Sequence, residues 1–240
     1  MESKQELTVG QWVAYNYKAS SVFRKYGIDF CCGGGISIQK ACQKKGIPEE
    51  QLLLELENIS KVSASQENYS SWELNFLADY IVNTHHDYVK KSLPEMSFYA
   101  QKVARVHGDR HPELLQILAL FQEIETEMTE HMQKEELILF PFIKEIVLAH
   151  STAQKIEKPV FGTVINPVSM MKHEHDSAGR IMEQIQQLTN NFTPPDDACT
   201  TYRVFFQHLA VFQEDLHKHV HLENNILFPK AIKMEADVMN

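Results

Sequence analysis

The chain has 240 residues, of which 43% are hydrophobic and 23% charged, a composition typical of a globular protein that buries its own core. The net charge of −9 at pH 7 argues against a general nucleic-acid binder, because neutralising phosphates requires a basic surface. The sequence contains neither an apolar run of roughly 18–20 residues that would span a bilayer nor a signal-peptide pattern at its start. We therefore expect a cytoplasmic protein that binds neither nucleic acid nor membrane.

The first 62 residues predict a small helical domain that carries a cysteine pair. Apolar residues from Trp12 to Phe23 follow one helical stripe, which predicts a single helix ending near Gly27. Cys31 and Cys32 then precede three consecutive glycines. Each glycine inside a helix costs about 1 kcal/mol relative to alanine, so this segment is expected to form a turn. Adjacent cysteines are poorly placed to form a structural disulfide, and the four cysteines do not resemble a disulfide framework.

Two more short helices and a linker are predicted after the cysteine pair. Ser37 is expected to cap a helix that ends at Gly46. Pro48 is expected to open the next helix, because proline suits the first helical turn. Residues 63–71 are polar, small and aperiodic, which predicts a linker to a second domain over 72–240.

The second domain is predicted to be a bundle of four long helices. The helical segments run roughly over 72–106, 112–150, 167–191 and 198–236. Glycine- and proline-containing segments separate them. Helices of this length with short or moderate connections are typical of an up-down-up-down bundle. The predicted fold is therefore all-α, a four-helix bundle preceded by a small helical domain.

Two copies of one motif lie 88 residues apart in this domain. The motif HxxxExxILFP begins at residue 131 and again at residue 219, and six of the eleven positions are identical. A His-Asp pair precedes each copy, at 86–87 and 175–176. Residues four apart on a helix project from the same face, so each His and Glu forms a two-ligand pair. The repeat predicts six metal ligands in two equivalent halves: His86, His131, Glu135, His175, His219 and Glu223.

The ligand types favour iron or manganese. Imidazole and carboxylate together suit these ions better than calcium, which prefers oxygen ligands only. Bundle cores are where di-iron sites are built from facing helices, so we predict a dinuclear iron site. Asp87 and Asp176 also recur in both halves and are candidates to orient a ligand. A charged helix surface explains these two residues equally well.

Other histidines near the motif are excluded as ligands. His217 and His221 form a further i, i+4 pair, but they flank His219 on other faces of its helix. The interpretation for this pair is a solvated surface. His85 and His173 lie beside predicted ligands but off their face.

Several motifs together resemble a known family. They are DFCCGG at 29–34, the two HxxxExxILFP copies, LPE at 93–95, KVxRVH at 102–107, EHD at 174–176 and TPPxxACTT at 193–201. The combination resembles the iron-sulfur cluster repair di-iron proteins, the repair-of-iron-centres (RIC) family, over essentially the whole chain. The resemblance implies a cysteine-bearing N-terminal domain and a hemerythrin-like bundle.

The resemblance also implies roles for particular residues. The family's iron ligands fall on the same six residues that the repeat indicates, with Glu135 and Glu223 as carboxylate bridges. The implied cofactor is two non-haem iron ions with an oxo or hydroxo bridge. The paired cysteines of the family fall on Cys31 and Cys32. Respiratory hemerythrins use five histidines, whereas this chain has a glutamate at 223, which suits redox chemistry or iron release better than reversible oxygen carriage.

The expected function is repair of iron-sulfur clusters damaged by nitric oxide or oxidants, with iron donation as the expected mode. The partners would be damaged iron-sulfur proteins, with nitric oxide or oxygen as a small ligand. The alternatives are a di-iron enzyme that reduces nitric oxide to nitrous oxide, and an oxygen or nitric oxide sensor. Monomer and dimer both stay open. We hypothesise that Cys31 and Cys32 are an exposed, reactive pair that receives nitric oxide or transfers iron; the other interpretation is two small buried residues that pack a tight turn.

Overall fold

The N-terminal part of the chain is a cluster of short helices. The computed structural model of the protein describes residues 7–62 and 68–239, and of residues 60–62 only the backbone. The helices are α1 (Val9–Tyr15), α2 (Ala19–Lys25), α3 (Ile38–Lys45) and α4 (Glu49–Val62). Part of the predicted linker, residues 63–67, lies outside the described residues, and Tyr69–Ser71 form a 3₁₀ turn. The division into domains at 62 and 72 stays a prediction.

The stretch from Trp12 to Phe23 forms two helices, so the prediction of one helix is wrong. Asn16 ends α1 with an extended backbone at φ −147° and ψ 100°. Its side-chain oxygen accepts a hydrogen bond from the Lys18 backbone N–H at 3.0 Å. This local bond competes with helix continuation, as asparagine side chains often do. The predicted ends of α3 are confirmed, since Ser37 accepts a hydrogen bond from Lys40 N–H and Gly46 ends the helix at φ 65°.

Within the described residues 74–239 the chain forms four long helices, which confirms the predicted all-α bundle. The first bundle helix comprises α5 (Leu74–Ile81), π1 (Val82–His86) and α6 (Asp87–His107); the second comprises α7 (Glu113–Lys134), π2 (Glu135–Leu139) and α8 (Phe140–Thr152). The third is α9 (Ile165–Leu188); the fourth comprises α10 (Thr200–Leu222), π3 (Glu223–Leu227) and α11 (Phe228–Met239). The first helix packs against the second and the fourth, and the second against the third. None of the described helices is long and apolar enough to cross a bilayer.

One buried cluster joins most of the N-terminal helices to the bundle. On α7, Ile117, Phe121 and Ile124 recur at helical spacing and are fully buried. The same cluster includes Trp12 of α1 and Phe30, which precedes the cysteine pair. Burying a large apolar side chain stabilises a fold by roughly 1.5–3 kcal/mol. The N-terminal helices therefore share the core of the bundle.

Each π turn lies at the level of the predicted ligands. π1 ends at His86, π2 begins at Glu135 and π3 begins at Glu223. A π turn inserts one extra residue into a helix and often occurs at a functional site. Pro141 and Pro229 are the second residues of α8 and α11, so both helices continue through their prolines directly after a π turn.

Candidate metal centre

The six predicted ligands lie together inside the bundle. They form two groups of four, and within each group the potential ligand atoms lie within 4.8 Å of one another. The groups are His86, Glu135, His219, Glu223 and His131, Glu135, His175, Glu223. Both glutamates belong to both groups, and none of the six residues is more than 2% exposed.

The distances place each glutamate between the two groups. Glu135 Oε2 lies 3.3 Å from His86 Nε2 and 3.2 Å from His131 Nε2. Glu223 Oε1 lies 2.9 Å from His219 Nε2, and its Oε2 lies 3.1 Å from His175 Nε2. Each carboxylate therefore reaches one histidine of either group.

The donor atoms fit a cation. The Nε2 atoms of His86 and His219 face each other at 3.2 Å, and those of His131 and His175 at 3.1 Å. Both oxygens of Glu135 are buried without a hydrogen-bond partner among the described residues. Burying an unpaired carboxylate is strongly unfavourable unless a charge compensates it. Converging imidazole nitrogens and buried carboxylate oxygens fit the donor set of an iron centre.

The carboxylates are held in their charged, ligand-competent form. Burial and the charge of Glu223 would raise the pKa of Glu135, but His131 and His86 outweigh them and hold it below its usual value. Burial would also raise the pKa of Glu223, but His219 and His175 lower it well below its usual value. Burial would lower the pKa of His131, but the negative charge of Glu135, with further contributions from Glu174 and Glu223, raises it to about 10.

A second layer of polar side chains orients three of the histidines. Glu136 Oε1 lies 2.7 Å from His86 Nδ1, and Glu174 Oε2 lies 2.9 Å from His131 Nδ1. Asn224 Oδ1 lies 3.0 Å from His175 Nδ1. Such contacts fix the ring so that Nε2 points into the site. None of these three residues was predicted from the sequence. Glu136 and Asn224 directly follow the two predicted glutamates and are 88 residues apart, so the repeat itself could have indicated them.

Of the two interpretations of Asp87 and Asp176, the structure supports the charged helix surface. Asp87 pairs with Lys91 at the surface at 3.8 Å. Asp176 is exposed and lines a cleft outside the centre. Both aspartates follow a ligand by one residue, and this places their side chains on the outer face of the helix.

His219 has a different environment from the other three histidines. Its Nδ1 atom is buried without a hydrogen-bond partner among the described residues. The His85 ring stacks on it, with ring centres 5.6 Å apart and planes 9° from parallel. Asp215 holds His85 through Nδ1 at 2.8 Å. His85 lies outside both four-residue groups and packs against a member of one of them.

The interpretation of His217 and His221 as a solvated surface is wrong. His221 is fully buried, and its ring centre lies 5.9 Å from that of Tyr17 and 6.0 Å from that of Phe30. His217 is half-buried, with its ring 5.9 Å from Phe30. The N-terminal part of the chain covers this face of the fourth bundle helix. The helical pattern of the bundle alone could not predict this burial, because the covering residues come from another part of the chain. Neither residue belongs to the two four-residue groups.

The cysteine pair lies beside the centre and is less exposed than expected. Cys31 is 7% exposed, so the expectation of an exposed thiol is wrong for it, whereas Cys32 is half-buried. Asp29 Oδ1 accepts hydrogen bonds from the Cys31 thiol and from both cysteine N–H groups. A hydrogen bond with Cys32, burial and Asp29 together hold the pKa of Cys31 well above its usual value. Asn224, the partner of His175, also lies 3.5 Å from the Cys31 carbonyl oxygen.

Comparison with known proteins agrees with this architecture. The family model described as hemerythrin HHE cation binding domain matches residues 77–231, and a domain of unknown function, DUF542, matches residues 5–60. The chain is 36% identical to the iron-sulfur cluster repair protein YtfE of Musicola paradisiaca, over 97% of this chain and 99% of that protein. It is 38% identical to the iron-sulfur cluster repair protein YtfE of Pectobacterium atrosepticum, over 96% and 99%.

A third relative extends the comparison to another genus. The chain is 35% identical to the probable iron-sulfur cluster repair protein of Haemophilus influenzae, over 89% of this chain and 91% of that protein. These matches cover both the cysteine-bearing helices and the bundle. The chain therefore belongs to the hemerythrin HHE cation-binding family and, over almost its whole length, to the iron-sulfur cluster repair proteins.

Proposed function

We propose that this protein repairs iron-sulfur clusters damaged by nitric oxide or oxidants, and that it does so by donating iron from a dinuclear centre. The pair of buried four-residue groups that share Glu135 and Glu223 carries the proposal. The names of the relatives support it, because all of those described above refer to iron-sulfur cluster repair. They do not refer to nitric oxide reduction or to sensing.

The proposed ligands divide evenly between two iron ions. His86 and His219 would hold one iron, and His131 and His175 the other, with both glutamates as bridges. The proposed cofactor would also include an oxo or hydroxo bridge. Bound iron would supply one-electron redox chemistry and a pool of transferable metal. Two imidazoles and two shared carboxylates would give each ion four donors from the described residues, fewer than an octahedral set, and this would favour release over permanent retention.

The chain's own residues control access to the centre. Burial of all six ligands excludes water, and Glu136, Glu174 and Asn224 hold the histidine rings in place. Cys32 lines a cleft of about 490 Å³ on the outside, together with Asp176 and His217. Asn224 connects this side to His175. We propose the cysteine pair as a transfer site between the centre and a damaged iron-sulfur protein.

The loss of iron is expected to depend on which face of the fourth bundle helix carries the replaced histidine. His219→Ala removes a donor from one group and should reduce the iron content from about two ions per chain and abolish repair. His217→Ala changes a neighbouring histidine outside both groups and should retain iron.

Two quantities are measured: the iron content per chain, and the reactivation of a cluster enzyme damaged by nitric oxide. For the second, the repair protein is loaded with isotopically labelled iron. Equal iron loss in both variants would contradict this assignment. If the wild-type protein holds its normal iron content but transfers no labelled iron to the damaged enzyme, iron donation is contradicted and the ligand assignment is not.

Replacing both cysteines by serine should separate transfer from storage. The six proposed ligands do not include either thiol, so the Cys31→Ser, Cys32→Ser variant is expected to hold iron at the wild-type level. Repair of the damaged enzyme should be impaired because the proposed acceptor thiols are missing. Unchanged repair by a well-folded double variant would leave the pair with a packing role only.

The proposed compartment is the cytoplasm, and the proposed partners are damaged iron-sulfur proteins. All four cysteines are free thiols, which is typical of proteins in a reducing compartment.

A further inference from the structure

Two family motifs that the metal centre does not use meet at the far end of the bundle. The segment 102–107 ends α6 with His107, and the segment 193–201 contains Cys199, which caps α10. His107 Nε2 lies 3.2 Å from Cys199 Sγ, within hydrogen-bond reach for a sulfur atom. The pair therefore joins a thiol to a potential proton acceptor across 92 residues of sequence.

The histidine of this pair is directed at the thiol. His107 is 5% exposed, and its Nδ1 atom has no hydrogen-bond partner in the part of the chain that the structure describes. Its ring packs against Tyr202 with ring centres 5.3 Å apart. Packing thus fixes a buried imidazole whose polar contact is with Cys199. A base within hydrogen-bond reach of a nucleophile is the arrangement that activates thiols.

The thiol itself is accessible and stands at a helix N-terminus. Cys199 is exposed, and its side chain makes no capping hydrogen bond to the first turn of α10. Arg203 donates to the backbone oxygens of Asp196 and Ala198 at 3.0 and 3.2 Å, so the segment before the thiol is held in place.

The other thiols are less suited to reaction. Cys31 and Cys42 are 7% and 3% exposed, and burial is a cause of the raised pKa of both thiols. Cys32 is half-buried against Cys31, with the two sulfurs 3.9 Å apart. Cys199 combines exposure with a histidine partner, and the nucleophilic form of a cysteine is the thiolate.

We propose that Cys199 and His107 form a modification site that reacts with low-molecular-weight disulfides. His107 Nε2 takes the thiol proton, and the Cys199 sulfur attacks one sulfur of the disulfide. A new S–S bond forms on Cys199 while the disulfide's own S–S bond breaks. The departing thiolate takes the proton from His107, so the product is a mixed disulfide and one free thiol.

The site is separate from the metal centre. Along α10, residue 199 is about 30 Å from residue 219, given the 1.5 Å rise per residue of an α-helix. Modification of Cys199 should therefore leave the iron content unchanged. The proposal does not depend on the proposed function in cluster repair.

The first test locates the modified thiol in the wild-type full-length protein loaded with iron. The probe is dipyridyl disulfide, a neutral disulfide, added below one equivalent, and peptide mass spectrometry assigns the adduct. We expect Cys199 to be labelled about tenfold faster than each other cysteine, with the iron content unchanged. Labelling that begins at Cys31, Cys32 or Cys42 would overturn the proposal.

A matched pair of variants tests the histidine. His107→Gln keeps a polar group near the sulfur but removes the base, so labelling of Cys199 should slow about tenfold or more. His111→Gln is the control, because His111 contacts Asp197 and Glu113 rather than the thiol. It should label at the wild-type rate. Equal rates in folded His107→Gln and wild-type protein would overturn the base role, and if His107→Gln does not fold, the wild-type labelling order still decides the site.

Discussion

Replacement of Glu135 by leucine is expected to remove most of the bound iron. Glu135 is fully buried and belongs to both four-residue groups, so its loss takes one donor from each proposed ion. A fully buried apolar side chain cannot replace either oxygen. Metal analysis of the purified variant, followed by titration of the apoprotein with ferrous iron, measures the effect.

Two variants on the same helix make this prediction specific. Glu130→Leu makes the same change at an exposed position and should retain a full iron content. Glu136→Gln keeps an oxygen near His86 Nδ1 but removes the charge, so metal affinity should fall by about tenfold to a hundredfold, the usual effect of changing an orienting residue. Full iron content in Glu135→Leu would refute the shared-carboxylate centre.

The same variant should also lower the stability of the apoprotein. In the apoprotein Glu135 Oε2 lies 3.3 and 3.2 Å from the Nε2 atoms of His86 and His131, inside a buried charge pair. Removing one partner leaves the other charge uncompensated, so apo Glu135→Leu is expected to be less stable than the wild-type apoprotein by about 3–5 kcal/mol. Iron should raise the unfolding midpoint of the wild-type protein and leave that of the variant unchanged. Denaturant unfolding with and without iron measures both effects.

Replacement of Gly34 by alanine is expected to weaken the attachment of the N-terminal helices. A Cβ atom at residue 34 would lie 2.3 Å from the Phe30 carbonyl oxygen and 3.0 Å from Gly10 Cα. Both neighbours are backbone atoms, so the turn itself must move. Asn225 of π3 donates to that same Phe30 oxygen at 3.2 Å, and this contact between the turn and the bundle should be strained. Overpacking of this kind typically destabilises by about 1–3 kcal/mol.

Gly35→Ala provides the control one residue away. Nothing lies within 4 Å of a Cβ atom at that position. It should leave the free energy of unfolding unchanged or raise it by up to about 0.4–1 kcal/mol, because alanine makes the unfolded chain less flexible. Urea unfolding compares the two variants, and labelling of the Cys31 thiol reports whether the turn opens. Equal free energies of unfolding for Gly34→Ala and Gly35→Ala would show that the close backbone contact at Gly34 does not affect stability.

The sequence by itself determined the helical bundle and the set of residues at its centre. Helical periodicity and turn residues are local properties, so the limits of the long helices were predicted to within a few residues. A His and a Glu four residues apart share a helix face whatever the helix packs against. Repetition of this pair at residues 131 and 219 then indicated which faces meet, and the six residues do lie together.

Only the tertiary structure decided what surrounds those residues. Glu174 reaches His131 across 43 residues of sequence, and Phe30 covers His221 from a different part of the chain. His107 and Cys199 belong to separate motifs and become partners only when α6 and the start of α10 come together. Such contacts depend on how distant segments pack, and neither periodicity nor spacing within one helix carries that information. The proposed ligands follow from local helical geometry, whereas their orientation, the burial of Cys31 and the pairing of His107 with Cys199 follow from packing.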